Sequence, residues 1–507
     1  MGFLNAIRSF IVIFNYFCMA FTLLLDIIYI IQLFVSLVRV HKNYNKTFSD
    51  DFHSYVDSDN LLPISLIIPA YNEEENIVQN IKSLLTINYP MFEIIVVNDG
   101  STDKTGDLVV NAFHMHKIET SIRYQIPTQK IEAIYFSKKY PNLLYVQKQN
   151  GGQSDALNAG INISRYPLFT CLDADSRIET DALLRLSMEF IKDSRTVVAG
   201  GLVRIANGSK IVNGELKGFS MPKKLIERFQ IVEYYRSFLM GRVFWSASNS
   251  LLIVSGAFGL FRKQTVIDVG GYKRNTIGED MEIIVRIHRY MRKNRKKYKI
   301  KFNEFSICWT QGPMSIQDIR SQRRRWQIGL MDTLVSHAGM TFNPRYGMVG
   351  LFSVPYNWIF ELFGAAVEAI GYFLIPFTLI MGELNMFFFV IYFLLSVALG
   401  VILSEGSLVL EQYTHRAAMS AKQSIAISVY AVLENFGYRQ MFTLFRLGVL
   451  SSTASCAKHG VRSSERSLNN EKGCYLCCRY DRRPLFPCSN GLADSVRHQT
   501  AFHLPKE

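Results

Sequence analysis

Asp173-Ala174-Asp175 puts two carboxylates one residue apart after the apolar residues Phe169 to Leu172. Alternate carboxylates suit a hard divalent cation, Mg²⁺ or Mn²⁺, which in turn neutralises a diphosphate. Alone, such a pair is more often solvated or a helix cap, but further motifs follow the same plan. Asp99 follows Ile94-Ile95-Val96-Val97-Asn98 and precedes Gly100-Ser101-Thr102-Asp103. That turn aims a carboxylate and backbone amides at a ligand, and Ser101 could cap the next helix. Tyr71, between Pro69-Ala70 and Asn72-Glu73, offers a base an aromatic face and a hydroxyl. Asp280, after Gly278-Glu279, opens an expected helix over residues 281–292. A carboxylate there can take a proton from an acceptor hydroxyl, and it can also cap the helix. In Gln322-Arg323-Arg324-Arg325-Trp326, the i, i+3, i+4 spacing puts Gln322, Arg325 and Trp326 on one helical face. A guanidinium can grip a leaving diphosphate, and an indole can stack on a sugar's apolar face. A basic interfacial helix with an anchoring Trp accounts for Arg323 and Arg324, but not for the coincidence with two acidic motifs upstream.

These residues need a scaffold. Runs rich in Ile, Val and Phe at 64–68, 92–97, 143–146, 169–172 and 197–202 read as strands. Residues 74–85, 129–139, 155–163 and 181–191 read as helices. The alternation predicts an α/β domain, a Rossmann-like and mostly parallel sheet with helices on both faces. Ligands of such sheets bind beyond the carboxyl ends of the strands, where Tyr71, Asp99, Asp173 and Asp175 fall. Residues 200–261 form a less regular section ending Ser255-Gly256-Ala257-Phe258-Gly259. Residues 315–337 read as a helix lying along a membrane surface.

Apolar segments flank this domain. Residues 10–38 are nearly all apolar, interrupted by Asp26 and Gln32. The run is too long for the core of a typical signal peptide and no small-residue cleavage site follows, so it reads as a retained anchor. Arg39, His41, Lys42 and Lys46 follow it, which predicts a cytosolic central domain and an N-terminus outside. Residues 348–381 and 386–410 read as a hairpin of two spans. Residues 424–450 are open between a third span lining a pore and an interfacial or re-entrant helix, because Glu434, Asn435, Arg439 and Arg446 interrupt them. The expected divisions are a transmembrane helix at 8–38, a cytosolic domain at 60–310, an interfacial helix at 311–340, transmembrane or interfacial helices at 347–450, and a disordered basic tail at 451–507.

Hydrophobic residues make up 49% and charged residues only 19%, which is apolar for a soluble enzyme and agrees with spanning segments. The net charge of +14 lies largely in residues 289–301 and the tail, and reads as a solvated face beside anionic lipid. It could also draw a nucleotide sugar into a cleft. No nucleic-acid-binding module accompanies it. The eight cysteines form no disulfide framework; Cys171 and Cys308 read as buried thiols, and Cys474, Cys477 and Cys478 lack histidines at zinc spacing.

Together, Asp99, Asp173-x-Asp175, Glu279-Asp280 and Gln322-x-x-Arg325-Trp326 resemble the processive membrane glycosyltransferases of family 2, which include cellulose, hyaluronan and poly-N-acetylglucosamine synthases. The resemblance covers about residues 60–410. It implies a glycosyltransferase-A-type domain flanked by transmembrane helices. The implied enzyme is an inverting transferase that uses a UDP-sugar and Mg²⁺ or Mn²⁺ and exports a growing β-glycan through its own helices. Tyr71, Glu73 and Asp99 then match uridine contacts, and Asp173 and Asp175 match diphosphate and metal contacts. Asp280, beside Glu279, matches the base. Gln322, Arg325 and Trp326 match the acceptor and diphosphate clamp, and Ser255 and Gly256 begin the loop lining the acceptor site. Gln153 stands in the donor region where the family often has lysine. The implied location is the plasma membrane, in multiple passes, with the catalytic domain cytosolic. UDP-glucose is the expected donor for a capsule or exopolysaccharide. The alternatives are a UDP-N-acetylglucosamine polymerase, a non-processive transferase acting on a lipid carrier, and an inactive receptor or export scaffold.

Overall fold

A computed structural model describes residues 2–49, 61–173, 176–212, 215–382, 385–414 and 420–458. The first element, α1 (Gly2–Ser49), is one continuous helix, longer at both ends than the expected span. The sheet domain begins with β1 (Ile64–Ala70), α2 (Ile77–Leu84), β2 (Phe92–Asp99), α3 (Thr105–Ala112) and β3 (Met115–Ile118). It continues with β4 (Ile131–Ser137), β5 (Leu143–Lys148), α4 (Gln153–Ile163), β6 (Leu168–Cys171), β7 (Arg177–Ile178), α5 (Ala182–Lys192) and β8 (Thr196–Ile205).

A small hairpin of β9 (Lys210–Val212) and β10 (Glu215–Gly218) stands apart. Then α6 (Leu225–Tyr234) runs through a π turn (Tyr235–Met240) into α7 (Gly241–Ala247) without leaving helical dihedrals. The domain closes with β11 (Gly259–Arg262), α8 (Lys263–Asp268), α9 (Glu279–Lys293), β12 (Lys299–Thr310) and α10 (Ile316–Ser336).

Ten strands form one sheet in the order β3-β4-β5-β2-β1-β6-β11-β8-β12-β7. Strands β5, β2, β1 and β6 are mutually parallel, as are β8 and β12. Between the two groups β11 runs antiparallel to both neighbours. The sheet is therefore mixed, around a parallel core. Every residue of β8 is buried, as expected for a strand covered on both faces. Helix α4 packs on β1 and β2, and α5 on β8 and β12.

The helix expected over 129–139 is instead β4, antiparallel to β5. Ile131, Ile134, Tyr135 and Phe136 favour a pleated surface, and the Tyr135 and Tyr145 rings meet across the strands at 5.4 Å. Cross-strand packing here overrides the weak helical pattern.

Among the described residues, three helices are long and apolar enough to cross a bilayer: Ser9–Tyr44, Val349–Ile380 and Phe389–Thr414. The second is irregular, with π segments at Val349–Ser353 and Asn357–Leu362 before α11 (Gly364–Ile380). The third belongs to α12 (Met386–Thr414). Helix α1 packs on α11, α12 and α7. Residues 424–450 are not one continuous helix. They divide between α13 (Ala421–Leu433) and α14 (Tyr438–Lys458), with Gly437 at φ 95° in the break. Helix α14 extends through residue 458, so 451–458 are helical rather than disordered. Residues 459–507, with Cys474, Cys477 and Cys478, lie outside the described residues.

Candidate active site

The carboxyl ends of β1 and β2 carry two stitched loops. Asn72, at φ 56°, accepts the Thr102 N–H at 2.8 Å, and its own N–H donates to Ser101 Oγ at 3.0 Å. The Glu73 N–H donates to Thr105 Oγ1 at 2.8 Å. Ser101 thus ties the loops together, while the residue preceding α3 is Lys104, without a side-chain cap. Tyr71 stands half exposed at this rim.

Asp99 is buried, and its carboxylate holds the next loop. Oδ1 accepts the Gly151 N–H at 3.0 Å and Oδ2 the Gly152 N–H at 2.7 Å, while Lys148 pairs with Oδ1. Lys148, fully buried, also reaches Asp155 Oδ1 at 2.9 Å. Asp155 then takes Arg274 Nε at 2.6 Å and the Gln129 N–H at 3.0 Å. Two carboxylates and two cations therefore alternate beneath the donor-side loops, each charge compensated. Lys148, Asp155 and Arg274 escaped sequence reasoning. The available signal was a lysine closing a buried strand just before Gly151-Gly152.

Asp173 follows β6, and its Oδ1 accepts from Gln153 Nε2 at 3.3 Å. Asp175 lies outside the described residues, so the spacing of the two carboxylates is not described. Asp173 is partly exposed beside the neutral Gln153 amide, and a carboxylate oxygen donor fits Mg²⁺ or Mn²⁺.

The second half of the site lies where α9 crosses α10. A Cβ on Gly278 would fall 2.7 Å from the Gly329 Cα, so only glycine permits this approach. Asp280 sits in the first turn of α9, one residue beyond the start, and does not cap it. Its Oδ2 accepts the Gly256 N–H at 2.8 Å, and a Cβ on Gly256 would strike that carboxylate at 2.5 Å. Burial of the carboxyl, then repulsion from Glu279, pushes the Asp280 pKa up to about 7, against the Gly256 hydrogen bond and the Arg242 charge. Such a group exchanges a proton readily near neutral pH.

Glu282, on the same helix, accepts from His337 at 3.3 Å and pairs with Lys273 and with Arg286 at 2.8 Å. Thr276 donates to Asp332 at 2.6 Å. These contacts clamp α9 to α10.

On α10, Trp326 is 42% exposed, and Arg324 and Arg325 are exposed. Gln322 is half buried, with Oε1 unpaired among the described residues. Arg323 departs from the interfacial reading. It is buried and bidentate to Glu233 on α6, at 2.8 and 3.0 Å. Its guanidinium lies 4.3 Å from the Trp326 ring, and Tyr438 donates to the same Glu233 at 3.1 Å. A run of three arginines conceals which one points inward. Gly256 meets Asp280 through its N–H, and Ser255 precedes it in the chain.

A sheet whose carboxyl ends gather carboxylates, beside a helix crossing that carries a basic-aromatic motif and a raised carboxylate, defines a glycosyltransferase. Residues 65–263 match the family described as Glycosyl transferase family 2, and residues 168–403 match Glycosyl transferase family group 2. The two matches overlap, so residues 65–403 carry sequence similar to the family 2 glycosyltransferases. It is similar to the poly-beta-1,6-N-acetyl-D-glucosamine synthase of Staphylococcus epidermidis, 29% identical over 273 residues, 54% of this chain and 55% of that protein. The Staphylococcus aureus synthase of the same name is 28% identical over 283 residues, 55% of this chain and 57% of that protein. The chain spans about half the length of the curated relatives it matches. A solved mannosyltransferase from Pyrobaculum calidifontis, in complex with GDP-Man and Mn²⁺, is 14% identical with a TM-score of 0.45, over 84% of this chain and 98% of that one.

Proposed function

We propose that the protein is an inverting, processive polysaccharide synthase that transfers a hexose from a UDP-sugar to a growing glycan and passes the product through its own apolar helices. The observation that carries this reading is the crossing at Gly278 and Gly329, which brings the raised carboxylate of Asp280 beside the helix bearing Gln322 and Trp326.

In this reading Asp280 takes the proton from an acceptor hydroxyl, and the oxygen attacks the anomeric carbon opposite the diphosphate. The C–O bond forms with inversion and UDP departs. Trp326 stacks on the acceptor sugar, Gln322 and Ser255 orient it, and Arg325 receives the leaving diphosphate. Tyr71 and Glu73 hold the uridine, and Asp99 fixes the loop that carries Gln153. Asp173, with Asp175, would hold a divalent cation, which supplies positive charge against the diphosphate. The catalytic sheet lies in the cytosol, with the N-terminus of α1 outside.

The names of the staphylococcal relatives support UDP-N-acetylglucosamine as a donor on equal terms with UDP-glucose. The test is a radiolabelled screen of UDP-glucose, UDP-N-acetylglucosamine and UDP-glucuronate with purified protein in detergent and Mn²⁺ or Mg²⁺. High-molecular-weight product from one donor is expected and names the sugar. UDP release with only short or lipid-linked product would replace polymerisation with single addition.

A further inference from the structure

Arg242, at the start of α7, has no role in the reading above. It is 7% exposed, and its Nη1 has no hydrogen-bond partner among the described residues. No ion pair neutralises it there either, in contrast to the other inward-facing cations of the site, Lys148 and Arg323. A buried guanidinium N–H is normally satisfied, so one left without an acceptor beside a reaction site points to a ligand.

Its surroundings indicate which ligand. The guanidinium lies 4.1 Å from the Phe238 ring centre. Phe238 stacks on Tyr234 at 4.3 Å and 2°, and its ring lies 6.1 Å from that of Trp326. Tyr234, Phe238 and Arg242 thus form one stripe along α6, the π turn and α7, with the Trp326 indole beside its middle member, Phe238. The charge of Asp280 acts on Arg242. Burial pulls the Arg242 pKa down to about 10, and Asp280 opposes that shift. An aromatic floor, a carboxylate base and a cation with a spare N–H match a sugar ring, its reacting hydroxyl and a neighbouring oxygen.

We propose that Arg242 binds the terminal sugar of the acceptor glycan, with Nη1 donating to a sugar oxygen next to the hydroxyl that Asp280 deprotonates. The proposal rests on the synthase reading for the identity of the acceptor, but it can be measured without turnover. Arg242→Ala, Arg242→Lys and Arg242→Gln would be compared with the parent protein, using β-linked N-acetylglucosamine and glucose tetramers. Calorimetry with UDP present reads tetramer binding, and donor turnover is assayed separately.

Tetramer affinity should fall at least about tenfold in Arg242→Ala and Arg242→Gln, with partial recovery in Arg242→Lys and donor KM within about twofold; tenfold corresponds to about 1.4 kcal/mol. Unchanged tetramer affinity, a loss expressed in donor KM instead, or no tetramer binding by the parent protein would each overturn the assignment. If Arg242→Ala does not fold, the Lys and Gln variants carry the same comparison. Arg242-dependent tetramer binding without turnover of any donor would uphold the assignment and refute the synthase reading.

Discussion

The two halves of the site hold their charges in opposite ways. On the donor side, Asp99, Lys148, Asp155 and Arg274 form a closed chain in which every charge is answered from within the protein. On the acceptor side, Arg242 Nη1 and Gln322 Oε1 are buried without a hydrogen-bond partner among the described residues, and Asp280 accepts the Gly256 N–H. A compensated network fixes loop geometry before any ligand arrives. An uncompensated one keeps its interactions for the ligand and stays less stable without it. The difference separates residues that shape the site from residues that meet the substrate, a distinction residue type alone does not make.

The sharpest way to break the contrast is Asp280→Asn. Polymer formation should fall about 10²–10⁴-fold, the range for removing a general base, while the circular dichroism spectrum is unchanged. Full activity would remove Asp280 from the mechanism. The complementary change on the donor side is Lys148→Met, which leaves Asp99 without its cation. Breaking a buried pair costs about 3–5 kcal/mol, so thermal unfolding in detergent should show a large loss of stability. A variant that unfolds like the parent protein yet loses activity would make Lys148 a ligand contact rather than a brace.

Smaller effects sharpen the comparison. Gly329→Ala puts a Cβ 2.8 Å from the Gly278 Cα. Overpacking of this kind costs about 1–3 kcal/mol, and the expected result is slower elongation with donor affinity retained. The gentlest probe is pH. Burial and Glu279 raise the Asp280 pKa to about 7, and only the deprotonated form can accept a proton. Elongation should therefore rise about tenfold per pH unit below that value and level off above it. A flat profile between pH 5 and 8, on the order of the window in which such a group titrates, would argue against Asp280 as the titrating group.

Much of this arrangement was legible in the sequence where burial is simple. Strands such as β1 and β8, covered on both faces, read as continuous apolar runs, and Asp99 and Asp173 fall at or next to strand ends because that is where a parallel sheet opens. Gly256 and Asp280, far apart in sequence, meet in the fold. Less local facts were hidden. Strand β4 owes its state to pairing with β5, and Arg323 faces inward because Glu233, far away in sequence, waits for it. Arg242 carries no motif at all. It becomes notable only when a fold surrounds it and offers no partner.

The π turn at Tyr235–Met240 has a further consequence. A helix accumulates about 100° of rotation per residue, so four residues overshoot a full turn by about 40°. A π turn is wider and accumulates less per residue. Placed between Tyr234 and Arg242, it acts as a phase corrector that keeps Tyr234, Phe238 and Arg242 nearly in line. Were the same six residues, Tyr235–Met240, to wind as an ordinary helix, everything beyond them would turn about a quarter turn further, so that the cation faced away from Asp280.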